Sequence, residues 1–249
     1  MPVRVAFDHL RVVLVRTRNP LNIGAAARAM SNFGFQHLRV VNPYEAAFRE
    51  ARSAVGASSV LQGAEQVTST QAAVADCSLV VGTTAVGRRK FRQPVEPLAS
   101  AAELICKRLR SERVALLFGS EKTGLSNRDL SLCHLLLRIP TREEHGSMNL
   151  GQAVAVCLYE ITRGGSHPAQ PTQRGQPATA GDLDRIHAVL LDALRASGYL
   201  KPGASVPTEE KLRRLIRRLH FSSADAGLVL GMLRQILWKL RSGEKHASP

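Results

Sequence analysis

Four stretches of this chain bring together residue types that can do chemistry. Ser147 and Asn149 sit in Ile139–Leu158, IPTREEHGSMNLGQAVAVCL, where a buried-looking strand meets Pro140, a polar loop and a long apolar helix. Such a loop offers backbone groups and small side chains at the carboxyl end of a strand, where open α/β sheets bind ligands. Upstream, Leu116–Ser126 (LLFGSEKTGLS) reads as a strand that turns at Gly119, followed by Glu121 and Gly124. Ser126 is placed there to cap a short helix at Asn127–Leu132. A glycine-bearing loop of this kind can cradle a small ligand. Near the start, Asn22–Arg28 (NIGAAAR) lets a helix pack closely against a ligand or a partner backbone, with Arg28 projecting one turn in. Arg28 reads equally as a solvated helix residue and Asn22 as an ordinary helix cap. Finally, Val81–Gly87 (VGTTAVG) is a second glycine turn after a strand, followed at once by Arg88, Arg89, Lys90 and Arg92.

Several chemistries find no support. The glycine loops lack G-x-x-x-x-G-K-[ST], so no nucleotide P-loop is expected, and no G-x-G-x-x-G follows the first strand as a Rossmann dinucleotide site requires. The histidines are spread without metal-ligand spacing, so the expectation is no metal. Cys77, Cys106, Cys133 and Cys157 lie far apart beside apolar residues, as reduced, buried cysteines of a cytosolic protein do.

The elements that must position these residues alternate. Val12–Val15, Leu38–Val41, Ser78–Val81, Val114–Phe118 and Leu135–Ile139 are short apolar runs. Between and after them, Ile23–Phe33, Pro97–Arg110 and Leu150–Ile161 have helical spacing. This predicts an α/β fold with a mostly parallel sheet and helices on both faces, over residues 1–163. Residues 164–181 (GGSHPAQPTQRGQPATAG) are rich in Gly, Pro, Gln and Thr and predict a flexible linker. Leu183–Ala196, Thr208–His220 and Ala224–Leu240 predict a small all-helical C-terminal domain, residues 182–249. Ser222-x-x-Asp225 is expected to start its last helix, with Leu228, Leu230, Met232, Leu233, Ile236, Leu237 and Leu240 as one broad apolar face.

A formal net charge of +14 favours a polyanionic partner such as RNA, since each neutralised phosphate releases condensed counterions. Besides the Arg88–Arg92 cluster, Arg213, Arg214, Arg217 and Arg218 are spaced so that several share a helix face that can grip RNA backbone, or that is a solvated face aiding solubility. The N-terminus has no charged-then-apolar signal segment and no apolar run reaches about 18 residues, so a cytoplasmic protein without membrane association is expected.

Taken in order, N-x-G-x-x-x-R, then F-G-x-E-x-x-G-L-S, then I-P followed by S-x-N-L and a helix resemble motifs one, two and three of the SpoU/TrmH branch of the SPOUT RNA methyltransferases. The resemblance covers roughly residues 10–163. With the trailing linker and helical domain, it is most similar to the TrmJ type, which methylates the ribose 2′-OH at position 32 in the anticodon loop of tRNA. It implies a deep C-terminal trefoil knot, an exception to unthreaded topology. It implies S-adenosyl-L-methionine held by Thr83 and Ala85, by Gly119, Glu121 and Gly124, and by Ile139, Ser147, Met148 and Asn149. It also implies a homodimer with sites shared across subunits, and Arg28 as the catalytic residue with Asn22, Glu121, Ser147 and Asn149 orienting it, the substrate or the cofactor. An arginine hardly deprotonates in proteins, so the expected role of Arg28 is to grip the target phosphate and stabilise developing alkoxide charge. Two other outcomes stay open: the same reaction on ribosomal RNA or another tRNA site, and a non-catalytic RNA-binding protein of this fold, against which the intact Arg28, Glu121, Ser147 and Asn149 speak.

Overall fold

The five apolar runs become the central strands of a seven-stranded parallel sheet. In the computed structural model, which describes residues 7–53, 59–85, 93–142, 144, 146–164, 176–200 and 206–244, the chain divides into two compact units, Met1–Pro171 and Thr172–Pro249. The first unit holds β1 (Leu10–Val15), β2 (Leu38–Val41), β3 (Glu65–Val67), β4 (Leu79–Thr84), β5 (Val95–Pro97), β6 (Val114–Phe118) and β7 (Leu135–Arg138). Their order across the sheet is β3-β2-β1-β6-β4-β7-β5, and every pairing is parallel. Interleaved are α1 (Pro20–Asn32), α2 (Glu45–Ser53), α3 (Ser59–Gln62), α4 (Thr70–Val74), α5 (Leu98–Arg108), α6 (Asn127–Ser131) and α7 (Leu150–Gly164).

Parallel strands covered on both faces are largely apolar, and β1, LRVVLV, is buried throughout, Arg11 included. Val12, Leu14, Leu116, Phe118 and Val81 face the cluster formed with Ile23 and Met30 of α1, Ile105 of α5, and Val154 and Leu158 of α7. The alternate residues Val13, Val15, Val80, Leu117 and Leu136 are buried on the opposite face. Gly82 lies on that face, where an added Cβ would come within 2.8 Å of Cys133 Sγ. All four cysteines are free and buried, and burial pushes the Cys77 and Cys157 thiols up to about 12.

β3 and β5 escape an apolar-run reading because each is a three-residue edge strand, one of them ending in Pro97. The segment between β2 and β4 also carries α2, whose buried Ala47, Phe48 and Ala51 show a helical spacing that would have found it.

The second unit contains α8 (Ala180–Ala196), α9 (Val206–Arg218) and α10 (Ser223–Glu244) around Leu183, Ile186, Ile216 and Ala226. It begins earlier than the composition of 164–181 suggests. Residues 165–175 lie outside the described residues, but Pro177 bridges to Ser222 and Thr179 caps α8 in a reciprocal capping box with Asp182. A threonine and an aspartate three residues apart thus turn the end of a polar stretch into a helix start. Ser222 starts α10 as its spacing predicts: Asp225 N–H donates to Ser222 Oγ at 3.1 Å.

The apolar residues of α10 do not form a single buried face. Leu230, Leu233 and Leu237 turn toward the unit's interior, while Leu228, Met232 and Ile236 are exposed. Among the described residues α8 packs along one side of α10, so a stripe this broad cannot all be buried.

Candidate active site

The strand order brings together loops that are far apart in sequence. β1, β6, β4 and β7 are consecutive neighbours, and their registers pair Leu14 with Phe118, Gly82 with Leu117 and Thr84 with Arg138. Their carboxyl ends therefore line one edge of the sheet. The loops leaving them are Arg16–Asn19, Gly119–Ser126, the segment after Thr84, and Ile139–Asn149. Motifs two and three lie in these loops, and motif one opens α1 just beyond the first.

Hydrogen bonds tie three of the motif side chains into one chain. Asn22 Nδ2 donates to Glu121 Oε1 at 3.1 Å, and Asn149 Nδ2 donates to Asn22 Oδ1 at 2.8 Å. Glu121 also accepts from the backbone N–H groups of Arg18 and Asn19, each at 3.4 Å. Asn149 Oδ1 accepts from Gly151 and Gln152 N–H at 2.9 and 3.3 Å, which caps α7. Asn22 is only 8% exposed and uses its amide in both directions, donor to one motif and acceptor from the other. Asn22 is therefore not a helix cap: Asn19 takes that role, accepting from Leu21 N–H at 2.9 Å ahead of Pro20 at the first helical position.

The second loop owes its shape to its glycines. Gly124 has φ +65°, in the left-handed region that favours glycine, and its N–H donates to Ser120 O at 2.8 Å. A Cβ on Gly119 would strike Gly124 C at 2.1 Å. The loop closes on itself and leaves Glu121 standing on its crest. Gly24 meets nothing within 4 Å, whereas a Cβ on Gly151 would come 2.5 Å from Ala25 Cβ. The close approach expected of the small run in α1 is made to α7, and it sets the distance between Asn22 and Asn149.

Asp129 is an anchor that the motif reading missed. Its carboxylate is 2% exposed and binds Arg16, Thr70 Oγ1 at 2.7 Å, and the N–H and Oγ of Ser126 at 2.8 and 2.5 Å. Burial pushes this carboxyl up, but the bonds from Arg16, Ser126 and Thr70 outweigh it and hold it below the usual carboxylate value. Arg16 has φ +54°, a backbone strain that the Asp129 pair and its own N–H bond to Val41 O sustain. Asp129 thus ties the loop before α1 to the loop after β6. The Ser126-x-x-Asp129 capping box was the available signal.

The other predicted positions divide. Thr83 Oγ1 donates to Leu117 O at 2.9 Å, fastening β4 to β6, with Ala85 exposed beyond it. Ile139 and Met148 are half-buried and Ser147 is exposed. Among the described residues Ser147 and Arg28 have no hydrogen-bond or ion-pair partner, and Arg28 is not joined to the Glu121–Asn22–Asn149 chain. Arg88, Arg89, Lys90 and Arg92 lie outside the described residues. In the second unit, the expectation that several of the four α9 arginines share an outward face is corrected. Arg217 is 2% exposed and binds Asp184 at 2.9 Å, Arg213 Nε lies 3.9 Å from the same carboxylate, and Arg214 pairs with Glu210. Asp184 on α8 draws that face inward, and only Arg218 of the four is exposed. Among the described residues no group of three or more His, Cys, Asp or Glu side chains is placed to hold a metal ion.

Residues 9–159 match the SpoU rRNA Methylase family. The chain belongs to this family. Over 233 residues, 92% of this chain and 91% of the relative, it is 34% identical to the tRNA (cytidine/uridine-2′-O-)-methyltransferase TrmJ of Sodalis glossinidius. It is also 34% identical to the tRNA (cytidine/uridine/adenosine-2′-O-)-methyltransferase TrmJ of Pseudomonas aeruginosa, over 92% of this chain and 93% of that one. Among solved structures, TrmJ from Z. mobilis ZM4 superposes with a TM-score of 0.78 at 33% identity, covering 91% of this chain and 98% of that chain. For a SpoU-family chain, the Glu121–Asn22–Asn149 bonds show how motifs one, two and three are locked to each other.

Proposed function

We propose that this protein is an S-adenosylmethionine-dependent tRNA methyltransferase that modifies a ribose 2′-OH at position 32 of the anticodon loop, acting in the cytoplasm as a homodimer. One observation carries the choice of tRNA over ribosomal RNA. The similarity to curated tRNA 2′-O-methyltransferases spans 92% of the chain, so it runs through the helical unit as well as the methylase unit.

The residues present fit the cofactor. Among the described residues the three loops bring the unpartnered hydroxyl of Ser147, the half-buried apolar side chains of Ile139 and Met148, and the close turn of Gly119 against Gly124, with Thr83 at the end of β4 and Ala85 after it. When bound, the group supplies a sulfonium methyl that is already electrophilic. The protein's own task is alignment and water exclusion, which is worth about 7–11 kcal/mol in well-oriented systems. Glu121 is occupied by Asn22 and two backbone N–H groups, so it serves as a brace and not as the base. Arg28, always charged, grips the phosphate beside the target ribose and stabilises charge growing on the 2′ oxygen, leaving the proton to phosphate or water.

Supporting the dimer, Arg28 stands free of the motif chain in its own subunit, and apolar Leu21 (78% exposed) and Tyr159 of the adjoining α7 face outward. Supporting the knot, β7 inserts between β4 and β5, two strands consecutive in the chain. Among the described residues no helix is long and apolar enough to cross a membrane.

The test is methyl transfer from labelled cofactor to tRNA, with the product mapped for 2′-O-methylation. A mark at position 32 is expected. A mark confined to ribosomal RNA, or no transfer at all, overturns the reading.

A further inference from the structure

With Arg213, Arg214 and Arg217 of α9 drawn into ion pairs, α10 offers an outward cationic stripe. Arg234, Trp238 and Arg241 are spaced i, i+4, i+7 and share one face of a 22-residue helix. They line, with Val189, Leu237 and Ser242, an open concavity of about 320 Å³. Trp238 is 61% exposed, a large apolar ring left in water. Leu237 beside it is buried, and Ser242 Oγ donates to Trp238 O at 2.9 Å, which holds the final turn of the helix.

The charges around the ring are available. Among the described residues Arg234 has no hydrogen-bond or ion-pair partner. Arg241 reaches Asp192 at 3.5 Å, with both side chains about half exposed. An exposed pair of that kind is weak enough for a phosphate to displace the carboxylate. Lys239, also exposed, adds charge to the same stretch. A flat aromatic face between an unpartnered guanidinium and a weakly paired one complements an unpaired nucleotide: its base stacks and its flanking phosphates pair.

We propose that Arg234, Trp238 and Arg241 form a single-stranded RNA contact that stacks one unpaired tRNA base on Trp238 and grips the adjacent phosphates. This deepens the tRNA reading above and rests on it for the identity of the RNA.

Trp238 is the only tryptophan of the chain, so intrinsic fluorescence of the full-length protein reports on this site. Titration with unmodified tRNA transcript should quench it, with the midpoint given by anisotropy of labelled tRNA. Trp238→Ala should weaken tRNA binding about 5- to 150-fold, the span of base–aromatic stacking, while Trp238→Phe keeps most of the affinity. Arg234→Gln with Arg241→Gln should lower the slope of log affinity against log salt by about 1.4, or about 0.7 per lost phosphate contact. Both arginines are exposed, so this double variant tests the site even where Trp238→Ala folds poorly.

Fluorescence unchanged at saturating tRNA, or wild-type affinity and salt slope in the double variant, overturns the proposal. So does a Trp238 signal that shifts with protein concentration in the absence of RNA, which would assign the face to a second copy of the chain. Methyl transfer to tRNA without a Trp238 response sinks this inference alone, whereas absent transfer sinks the functional reading.

Discussion

Gly151→Ala tests whether helix packing sets the geometry of the active site. The new Cβ would lie 2.5 Å from Ala25 Cβ, with Asn149 Oδ1 next at 3.4 Å and Ala25 C at 3.5 Å. Carbon atoms rest about 3.5–4.0 Å apart, so α1 and α7 must separate by about 1 Å. The same junction carries the 2.8 Å bond from Asn149 to Asn22, and such an opening stretches it past the roughly 3.5 Å at which a hydrogen bond fails. Overpacking costs about 1–3 kcal/mol, and alanine in place of glycine within a helix returns about 1 kcal/mol. The balance is a destabilisation of about 1 kcal/mol, a drop of about 2–4 °C in melting midpoint for a chain of this size. Losing one positioning bond worth about 1 kcal/mol lowers kcat/KM for tRNA methylation about fivefold. Ala25→Gly in the same chain removes the atom that is struck and exchanges one helical methyl for another. The double variant should recover a midpoint within about 2 °C of the parent and most of its activity. Thermal melting and labelled-methyl transfer read both quantities. A single variant with parental activity and midpoint, or a double variant no better than the sum of its parts, refutes the packing argument.

Three further outcomes are expected. Arg28→Ala should abolish methyl transfer while calorimetry finds cofactor affinity within about twofold of the parent, since Arg28 lies outside the three loops; retained turnover removes it from catalysis. Asp184→Ala removes the carboxylate that neutralises buried Arg217 and should destabilise the helical unit by about 3–5 kcal/mol, whereas Asp184→Leu with Arg217→Met should restore most of it; Trp238 fluorescence follows this melting, and a parental midpoint in the single variant refutes the assignment. Burial, and then the charge of Arg213, hold the His187 imidazole below its ordinary value, while Nε2–H donates to Glu209 O at 3.0 Å. Because the folded pKa is depressed, the neutral form is the stable one, and its stabilisation is complete above the unfolded value of about 6.5 and fades as pH falls below it. The Trp238-reported midpoint should therefore fall between pH 7.5 and 5.0 more steeply than in His187→Gln; equal slopes contradict this.

Much of the scaffold was legible in local pattern. Leu38–Val41 and Val114–Phe118 are strands over their full predicted spans, because strands covered on both faces are dominated by apolar residues, broken here only by Arg39, whose guanidinium pairs with Asp76 and Glu65. Ser126 and Ser222 mark helix starts because capping is a contact over three residues, which sequence spacing encodes directly. The three motifs could likewise be picked out by type and order. Their partners could not. That Asn22 would give up a capping role to join Glu121 and Asn149, 99 and 127 positions away, depends on β6 lying beside β1 and on α7 returning against α1.

The helical unit shows the same division from the other side. Spacing placed Arg213 and Arg217 on one helix face, and that much holds. Which way the face turned was decided by Asp184 on α8, a buried carboxylate that needs cationic partners and has no signature in the sequence of α9. The amino-acid sequence by itself determined the parallel sheet, the family motifs and the basic character of the chain, because periodicity, residue type and charge are local or additive. Only the tertiary structure decided that the motifs form one hydrogen-bonded chain, that Asp129 anchors two of their loops, and that Arg234 and Arg241 rather than Arg213 and Arg217 meet solvent. Pairing across the fold and the direction of burial arise when distant surfaces compete for the same side chains.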